Sequence, residues 1–377
     1  MAIYDELGIP RVINGNATLT SLGGSVLAPG VAEAMAEAGT AFVDLVDLQR
    51  AVGAEIARLT HNEACYVSCG AAAGLTLVTA ACIAGTDPEK RERLPFTEGL
   101  KNEVVVHGHT RVGYDFAIRM AGVRLVEIGS RAGTSPGELE AVLSPHTAAM
   151  FYFPRGAEER GELPLEIAVE ICHARGVPVI VDAAAQLPPK SNLWTFTQRG
   201  ADAAIFSGGK GLRGPQSTGL VLGKQALIQA CAFHGPPYPY IGRGMKVGKE
   251  ELCGILAAVR WYLAQDEDAQ SAFCERVVAE VAHAFEGRSD IRVRGIWPSE
   301  AGQPVPRAEL DLDEAALGRT RDEILAALRS GTPAVDLARG AGATILVNPQ
   351  TLAPEEVTMI VQRLCEELAP RSRHFGS

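Results

Sequence analysis

Short apolar runs recur along the first two thirds of the chain, and each is followed by a turn and an amphipathic stretch. The runs have the length of buried strands and cover residues 104–106, 123–128, 148–153, 177–181, 203–206 and 220–222. Helical spacing of apolar residues falls between them, at residues 113–121, 136–143 and 164–174. This alternation predicts right-handed crossovers and a mostly parallel sheet covered on both faces. Ligands of such sheets bind beyond the carboxyl ends of the strands.

The pattern changes near a turn-rich segment at residues 236–244. Long helices are predicted on either side of the strand region, at residues 29–48 and 249–264. Short strands at 291–296, 307–311 and 344–347, with helices at 320–330 and 353–368, indicate a small α+β unit. A length of 377 residues suits two domains. We predict an N-terminal arm and large domain at residues 1–245, and a linking helix and small C-terminal domain at residues 246–377.

Composition narrows the class of protein. The formal net charge is −10 and no basic arm is present, which argues against a nucleic-acid partner. The eight cysteines form no Cys-x-x-Cys pair, so reduced thiols are expected instead of disulfides or a metal site. The first residues lack the pattern of a secretory signal, and no apolar run approaches the roughly 20 residues of a membrane span. The expected location is the cytoplasm.

Lys210 lies in a glycine-padded segment that directly follows an apolar run, and Asp182 ends an earlier run. A nucleotide-binding loop is excluded because Gly211 follows the lysine where Ser or Thr is required. Lys210 could be a surface lysine, and Asp182 a helix cap or turn residue. Together, however, an amine that closes a Schiff base and a carboxylate that keeps a pyridine nitrogen protonated describe a pyridoxal phosphate (PLP) site. The pair therefore predicts a PLP enzyme with Lys210 and Asp182 as its catalytic residues.

Other residues at strand ends could complete such a site. Ser68, Gly70 and Ala71 open a helical stretch whose small residues expose N–H groups to a phosphate, although small residues also permit close helix packing. Ser207 could donate to the same phosphate. His109 could stack on the cofactor ring or be plain loop polarity, and no third ligand is spaced to make a metal site with His107. Gln186 could contact the ring or substrate, or lie on the surface.

Four phrases carry a family resemblance that covers nearly the whole chain: VDAAAQLPP at 181–189, FSGGKGLRGPQSTG at 206–219, GRGMKVGKEE at 242–251 and VNPQTL at 347–352. The chain resembles fold-type I PLP-dependent enzymes, whose large domain is aspartate aminotransferase-like and whose small C-terminal domain is α+β. Within them it resembles the branch of selenocysteine synthase (L-seryl-tRNA selenium transferase) and D-glucosaminate-6-phosphate ammonia-lyase. This fold usually builds its sites at a dimer interface, so the resemblance implies a homodimer or larger homo-oligomer.

The resemblance also implies roles for single residues. Lys210 would bond to the PLP aldehyde and later act as acid and base, and Asp182 would be the pyridinium partner. The implied phosphate contacts are Gly70, Ala71 and Ser207. The residues implied to approach the active site, some of them that of a neighbouring subunit, are Arg243 and Lys246. The residues implied to face the substrate are Asn14, Asn16 and Thr18.

PLP makes the α-carbon of an amino acid acidic, and the substrate's orientation decides which bond breaks. The leading hypothesis is an ammonia-lyase that removes the α-proton and a β-hydroxyl from a small hydroxylated amino acid or amino sugar acid. Arg111, Arg119 and Arg243 could bind a substrate carboxylate or phosphate, or could form surface ion pairs. An aldolase or racemase ranks second. Selenium transfer to seryl-tRNA ranks third because it needs a large polyanionic partner.

Overall fold

The computed structural model describes residues 3–154, 161–299 and 302–369. They fall into two compact units. The larger contains Ser25–Gln265, and the smaller contains residues 3–24, Asp266–Ser299 and residues 303–369. None of the helices in these ranges combines the length and the apolar character that crossing a bilayer requires.

The strands of both units, in chain order, are β1 (Val12–Gly15), β2 (Ala64–Ser68), β3 (Glu103–His107), β4 (Arg124–Ile128), β5 (Thr147–Tyr152), β6 (Val179–Asp182), β7 (Ala203–Ser207), β8 (Gly219–Gly223), β9 (Ile291–Ile296), β10 (Arg307–Leu312), β11 (Ala334–Arg339) and β12 (Thr344–Val347). The α-helices are α1 (Ile3–Glu6), α2 (Val31–Ala38), α3 (Leu45–Leu59), α4 (Gly70–Ala84), α5 (Pro88–Arg93), α6 (Phe116–Arg119), α7 (Pro136–Val142), α8 (Leu165–His173), α9 (Asn192–Gln198), α10 (Gln225–His234), α11 (Lys249–Leu263), α12 (Glu267–Ala284), α13 (Glu314–Leu317), α14 (Arg321–Ser330) and α15 (Pro354–Glu367). Short 3-10 turns lie at Thr20–Leu22, Gly108–Thr110 and Gly113–Asp115.

The sheet of the larger unit has the strand order β2-β8-β7-β6-β5-β3-β4. The pairs from β4 across to β7 are parallel, whereas β8 is antiparallel to both of its neighbours, β7 and β2. The strand β2 therefore runs in the same direction as β3 to β7, and these strands end at one common edge. The prediction of a mostly parallel α/β sheet is confirmed.

Helices cover both faces of this sheet because successive strand residues point to opposite sides. In β3, for example, Val105 packs in one apolar cluster with residues of α3, α8 and α11. Its neighbours Val104 and Val106 pack in the other cluster, with residues of α4, α6 and α10. Burial on both faces explains why the central strands read as continuous apolar runs in the sequence.

The smaller unit is a five-stranded sheet of order β1-β11-β12-β10-β9. The strand β1 is parallel to β11, and the remaining pairs are antiparallel. Residues of α12, α14 and α15 form an apolar cluster with these strands. The unit is thus an α+β layer built from both ends of the described chain.

This division differs from the predicted one at 245 and 246. The N-terminal segment joins the smaller unit because β1 pairs with β11. The helix α11 stays with the larger unit because it packs against α2 and α3. The single helix expected at residues 29–48 is two helices: Gly39 ends α2, and the Asp44 side chain accepts the Asp47 N–H to begin α3.

Candidate active site

Most of the predicted site residues of the larger unit follow strands that end at the common edge of its sheet. Asp182 is the last residue of β6, and Lys210 lies in the turn that follows β7. The two strands are parallel neighbours in which Asp182 pairs with Ile205. The structure therefore places the carboxylate and the turn of the lysine at the same edge, as the sequence predicts.

The turn that carries Lys210 is closed by backbone hydrogen bonds. The Gly208 N–H donates to the Thr218 carbonyl at 2.8 Å, and the Gly214 N–H donates to the Gly208 carbonyl at 2.8 Å. A Cβ atom on Gly211 would lie 2.9 Å from both the Cβ and the carbonyl oxygen of Leu187, inside normal contact. The absence of a side chain at Gly211 therefore lets the turn pack closely against Leu187.

Asp182 shapes the turn after β6. Its Oδ1 accepts the Ala184 N–H at 3.1 Å, and no helix starts directly after it, so the helix-cap reading is excluded. Gln186 is buried and not a surface residue: its Nε2 donates to the Pro154 carbonyl at 2.6 Å, and its own carbonyl accepts the Asn192 Nδ2 at 2.7 Å. The half-buried carboxylate of Asp182 is thus held in a fixed turn.

The start of α4 forms the second part of the site. Ser68 and Ser207 both pair with Gly219 of β8, which places the two serines on either side of this glycine. A Cβ atom on Gly219 would lie 2.6 Å from the carbonyl carbon of Gly70 and 2.7 Å from the Ala71 nitrogen. The first peptide of α4 therefore lies directly over Gly219. The side chain of Cys69, the N-cap residue of this 15-residue helix, makes no capping hydrogen bond, so the first N–H groups of the helix fit the phosphate of PLP.

His109 provides the third part. Both of its ring nitrogens are buried and have no hydrogen-bond partner within the part of the chain that the structure describes. Its ring stands edge-on to His107, with 6.2 Å between centroids. Buried polar atoms without partners are typical of a site that a ligand completes. Across the three described ranges, no cluster of His, Cys, Asp and Glu could hold a metal ion.

His107 lies behind His109 and is almost fully buried. Burial, and next the charge of His109, lower its pKa to about 4, so the ring is neutral at neutral pH. Its Nε2 accepts the Leu163 N–H at 3.4 Å, which leaves the proton of the neutral ring on Nδ1. His107 therefore packs behind His109 as a neutral ring.

The arginines that could bind a substrate anion differ in their contacts. The Arg111 guanidinium lies 2.7 Å from Asp115 and 2.5 Å from Glu127, and the hydrogen bond to Asp115 is the first cause that raises its pKa. Arg119 lies 3.5 Å from the same Asp115. These contacts favour the ion-pair reading for both. Arg243, in contrast, is exposed, and its side chain forms no hydrogen bond or ion pair with the described residues.

Lys246 is exposed in the same segment as Arg243, after the turn in which the Arg243 N–H donates to the Tyr240 carbonyl at 2.8 Å. This segment is anchored by Arg91, whose guanidinium carbon lies 3.5 Å from the ring centroid of Phe233 and 3.7 Å from that of Tyr240. Arg91 was not predicted from the sequence. The aromatic residues at 233, 238 and 240 were the only local signal for it.

The remaining predicted residues lie in the smaller unit, where they form a turn after β1. The Asn14 Oδ1 accepts the Asn16 N–H at 3.0 Å, and its Nδ2 donates to the Ala17 carbonyl at 2.8 Å. The Asn16 Nδ2 donates to Asp336 Oδ1 at 2.8 Å. Thr18 is half-buried beside this turn. The substrate contacts implied for Asn14, Asn16 and Thr18 stay a prediction.

Comparisons with known proteins find relatives over nearly the whole chain. Residues 12–294 match the family model described as SelA, L-seryl-tRNA selenium transferase. A Streptomyces protein named 5'-C-glycyluridine monooxygenase-decarboxylase is 35% identical over 97% of this chain and 91% of its own length. The D-glucosaminate-6-phosphate ammonia lyase of Salmonella typhimurium is 33% identical over 97% of both chains.

The fold of this chain is also similar to the folds of solved structures. A D-glucosaminate-6-phosphate ammonia-lyase structure superposes with a TM-score of 0.84, at 31% identity over 98% of both chains. A structure titled SPT with PLP internal aldimine has a TM-score of 0.58 at 12% identity, which shows the shared fold. These matches, together with Lys210, Asp182 and the uncapped start of α4, show a PLP-dependent enzyme of fold type I. The chain belongs to the L-seryl-tRNA selenium transferase family.

Proposed function

We propose that the protein is a PLP-dependent ammonia-lyase for a small 2-amino-3-hydroxy acid, with amino sugar acids as the substrate class. The observation that carries the proposal is the meeting of Asp182, the Lys210 turn and the uncapped start of α4 at one sheet edge. It is supported by near full-length similarity to proteins named D-glucosaminate-6-phosphate ammonia lyase.

The chemistry divides among the side chains as follows. When bound, PLP withdraws electrons from the α-carbon of the amino acid and so acidifies its proton. The N–H groups at the start of α4 hold the phosphate, and the Asp182 carboxylate holds a proton at the pyridine nitrogen. The Lys210 amine accepts the α-proton, after which the β-hydroxyl leaves as water. Hydrolysis of the C–N bond takes that water back, so the net products are one 2-keto-3-deoxy acid and one ammonia.

The substrate of this reaction is an anion, since it carries a carboxylate. Arg243 and Lys246 are the cations proposed to attract it, because both are exposed and Arg111 is already paired with two carboxylates. Arg243 is the better candidate for a carboxylate or phosphate because its guanidinium offers two parallel donors.

A second function is favoured by one observation, the 35% identity to a protein named 5'-C-glycyluridine monooxygenase-decarboxylase. A reaction of that kind would consume O2 and release CO2, and would not release ammonia together with a keto acid. The two candidates share the same lysine and carboxylate, so they differ in products and not in cofactor.

The experiment is an incubation of the PLP-loaded protein with D- and L-amino sugar acids and small hydroxyamino acids. Keto acid, ammonia, O2 and CO2 are measured together, and Lys210→Ala is the matched control. Equal amounts of keto acid and ammonia without O2 uptake are expected from the wild type, and none from the variant. O2 uptake with CO2 release would favour the second candidate, whereas aldehyde and glycine would indicate an aldolase.

We further propose that the protein is a homodimer. The segment at residues 41–46 supports this, because Phe42 is fully exposed and Val43 and Val46 are about half exposed. Light scattering on the purified protein gives the mass, and Phe42→Asp is expected to weaken the association.

A further inference from the structure

The turn that carries Lys210 is held by a short segment at residues 25–28, at the start of the larger unit. The Ser25 N–H donates to the Gly209 carbonyl at 2.9 Å, and the Ala28 N–H donates to the Arg213 carbonyl at 2.8 Å. Between them, the Ser25 hydroxyl donates to the Lys210 carbonyl at 2.8 Å. The segment therefore bonds to the residues before, at and after the lysine, and we refer to residues 25–28 as the strap.

Arg213 fastens the other end of the turn to this strap. Its N–H donates to the Lys210 carbonyl at 2.9 Å, so that carbonyl accepts two hydrogen bonds. Its side chain Nε donates to the Val26 carbonyl at 3.0 Å, and its guanidinium carbon lies 5.3 Å from the ring centroid of Trp261. The arginine thus joins the lysine turn to the strap through both its backbone and its side chain.

The backbone of Arg213 has a φ of 54°, in the left-handed region that residues other than glycine rarely adopt. Such a conformation persists only where its surroundings hold it, and it occurs often at functional sites. Here the surroundings are the strap and the Trp261 ring. Glycine would adopt this conformation without strain, so the arginine at this position indicates that its side-chain contacts stabilise the turn.

We propose that Ser25 and Arg213 are positioning residues that fix the main chain of Lys210, so that its amine is held where it bonds to PLP and takes the substrate proton. The proposal rests on the function proposed for Lys210. Neither residue is predicted to touch substrate. Their effect is to restrict the turn to one conformation, which preserves the geometry that proton transfer requires.

The test uses Ser25→Ala, Arg213→Ala and Arg213→Gly in the full-length protein. Ser25→Ala removes one hydroxyl and leaves the backbone intact. Arg213→Gly relieves the strain of the left-handed backbone conformation but also removes the side-chain contacts. It therefore separates the effect of backbone strain from the effect of those contacts. The matched controls are Ser330→Ala, which also loses a hydroxyl that donates to a carbonyl at 2.9 Å, and Arg199→Ala, which loses an ion pair to Glu166 at 2.6 Å.

The first readout is hydrogen exchange of the peptide at 206–219 in the PLP-free protein. The second is the pH midpoint of the visible absorbance that borohydride reduction abolishes, and the third is kcat and KM. For Ser25→Ala, Arg213→Ala and Arg213→Gly we expect about tenfold faster exchange, a shifted midpoint and about tenfold lower kcat at similar KM, since one hydrogen bond contributes about that factor. The controls should match the wild type in each readout.

Two results would overturn the inference. One is a Ser25→Ala protein and an Arg213→Ala protein that exchange and absorb as the wild type does. The other is an Arg213→Gly protein that regains wild-type behaviour, because strain and not fastening would then explain the arginine variant. Exchange and absorbance need no substrate, so the inference can fail while the lyase proposal stands, and the reverse also holds.

Discussion

Ser68 and Ser207 lie on opposite sides of Gly219, because both are register partners of this glycine in the sheet of the larger unit. The first peptide of α4 crosses over the glycine, where a Cβ atom would come within 2.6 Å of Gly70. The start of α4, which we propose binds the phosphate of PLP, therefore meets the two strands that carry the serines at one small residue in β8.

The first prediction concerns Gly219→Ala. The added methyl group must push the start of α4 away, so we expect PLP affinity to fall about tenfold or more and the free energy of unfolding to drop by about 1–3 kcal/mol. PLP titration by fluorescence and urea unfolding of the PLP-free protein measure the two effects. The control is Gly137→Ala in α7, where a Cβ atom meets nothing within 4 Å and stability should rise slightly. Unchanged PLP binding by Gly219→Ala would contradict the proposed contact.

The second prediction concerns Arg111. Among the described residues, removal of its guanidinium leaves the buried Asp115 only the longer ion pair with Arg119, so Arg111→Ala should lower the free energy of unfolding by about 3 kcal/mol and leave KM nearly unchanged. Denaturant unfolding and steady-state kinetics test this. Arg50→Ala, which breaks an exposed pair with Asp47, should cost less than about 1 kcal/mol. A large rise in KM at wild-type stability would return Arg111 to the substrate site.

The third prediction is a pH dependence of stability caused by His107. Its pKa is about 4 in the folded protein, below the ordinary value of 6.5, so between these values the unfolded chain binds a proton that the folded chain excludes. The stability is fully present above pH 6.5 and falls as the pH drops towards 4, by about 3 kcal/mol in total. His107→Gln, which can still accept the Leu163 N–H, should flatten this decline.

Burial also lowers the pKa of His234, so part of the decline should remain in the His107 variant. His283→Gln, which replaces an exposed histidine on α12, is the matched control. Unfolding curves from pH 4 to 8 give the comparison. A decline of equal size in His107→Gln and in the wild type would show that His107 is not its source.

The fourth prediction concerns Arg91, whose guanidinium lies between the rings of Phe233 and Tyr240. Arg91→Lys keeps the charge but loses the flat group, so the free energy of unfolding should fall by about 1–2 kcal/mol. The peptide at 236–246, which carries Arg243 and Lys246, should exchange hydrogen faster. Arg58→Lys on the surface of α3 serves as the control. Wild-type exchange in the Arg91 variant would show that the rings hold the segment without it.

The sequence was sufficient to predict the central strands, because β3, β5, β6 and β7 are buried on both faces and read as continuous apolar runs. The short β1 was missed because its partner is distant in the sequence and its four residues carry no period. The helix α12 was missed because only Cys274, Val277 and Val281 of its 18 residues are buried, which leaves a mostly polar sequence.

In the candidate active site, too, some residues could be predicted from the sequence and others could not. Asp182, Ser68 and Ser207 end strands and Lys210 follows one, so their positions could be predicted from strand ends alone. Ser25 could not, because its hydroxyl bonds to a backbone carbonyl 185 residues away and that contact leaves no local pattern. The contact between Arg111 and Glu127 likewise could not be predicted from the sequence, since Glu127 lies 16 residues away in β4. The position of a residue relative to a predicted strand therefore identifies reactive side chains. It does not identify the long-range contacts that those side chains and their turns make.

The pairing of β1 with β11 has a consequence for biosynthesis. Across this pair, Asn16 and Asp336 are hydrogen-bonded although they are 320 residues apart. A ribosome synthesises the N-terminal strand long before its only described partner emerges, so this strand must wait with an open edge while the strands of the larger unit are completed. Nascent chains that are halted before residue 334 would therefore contain all seven strands of the larger unit's sheet. They would lack β11, the strand with which β1 pairs.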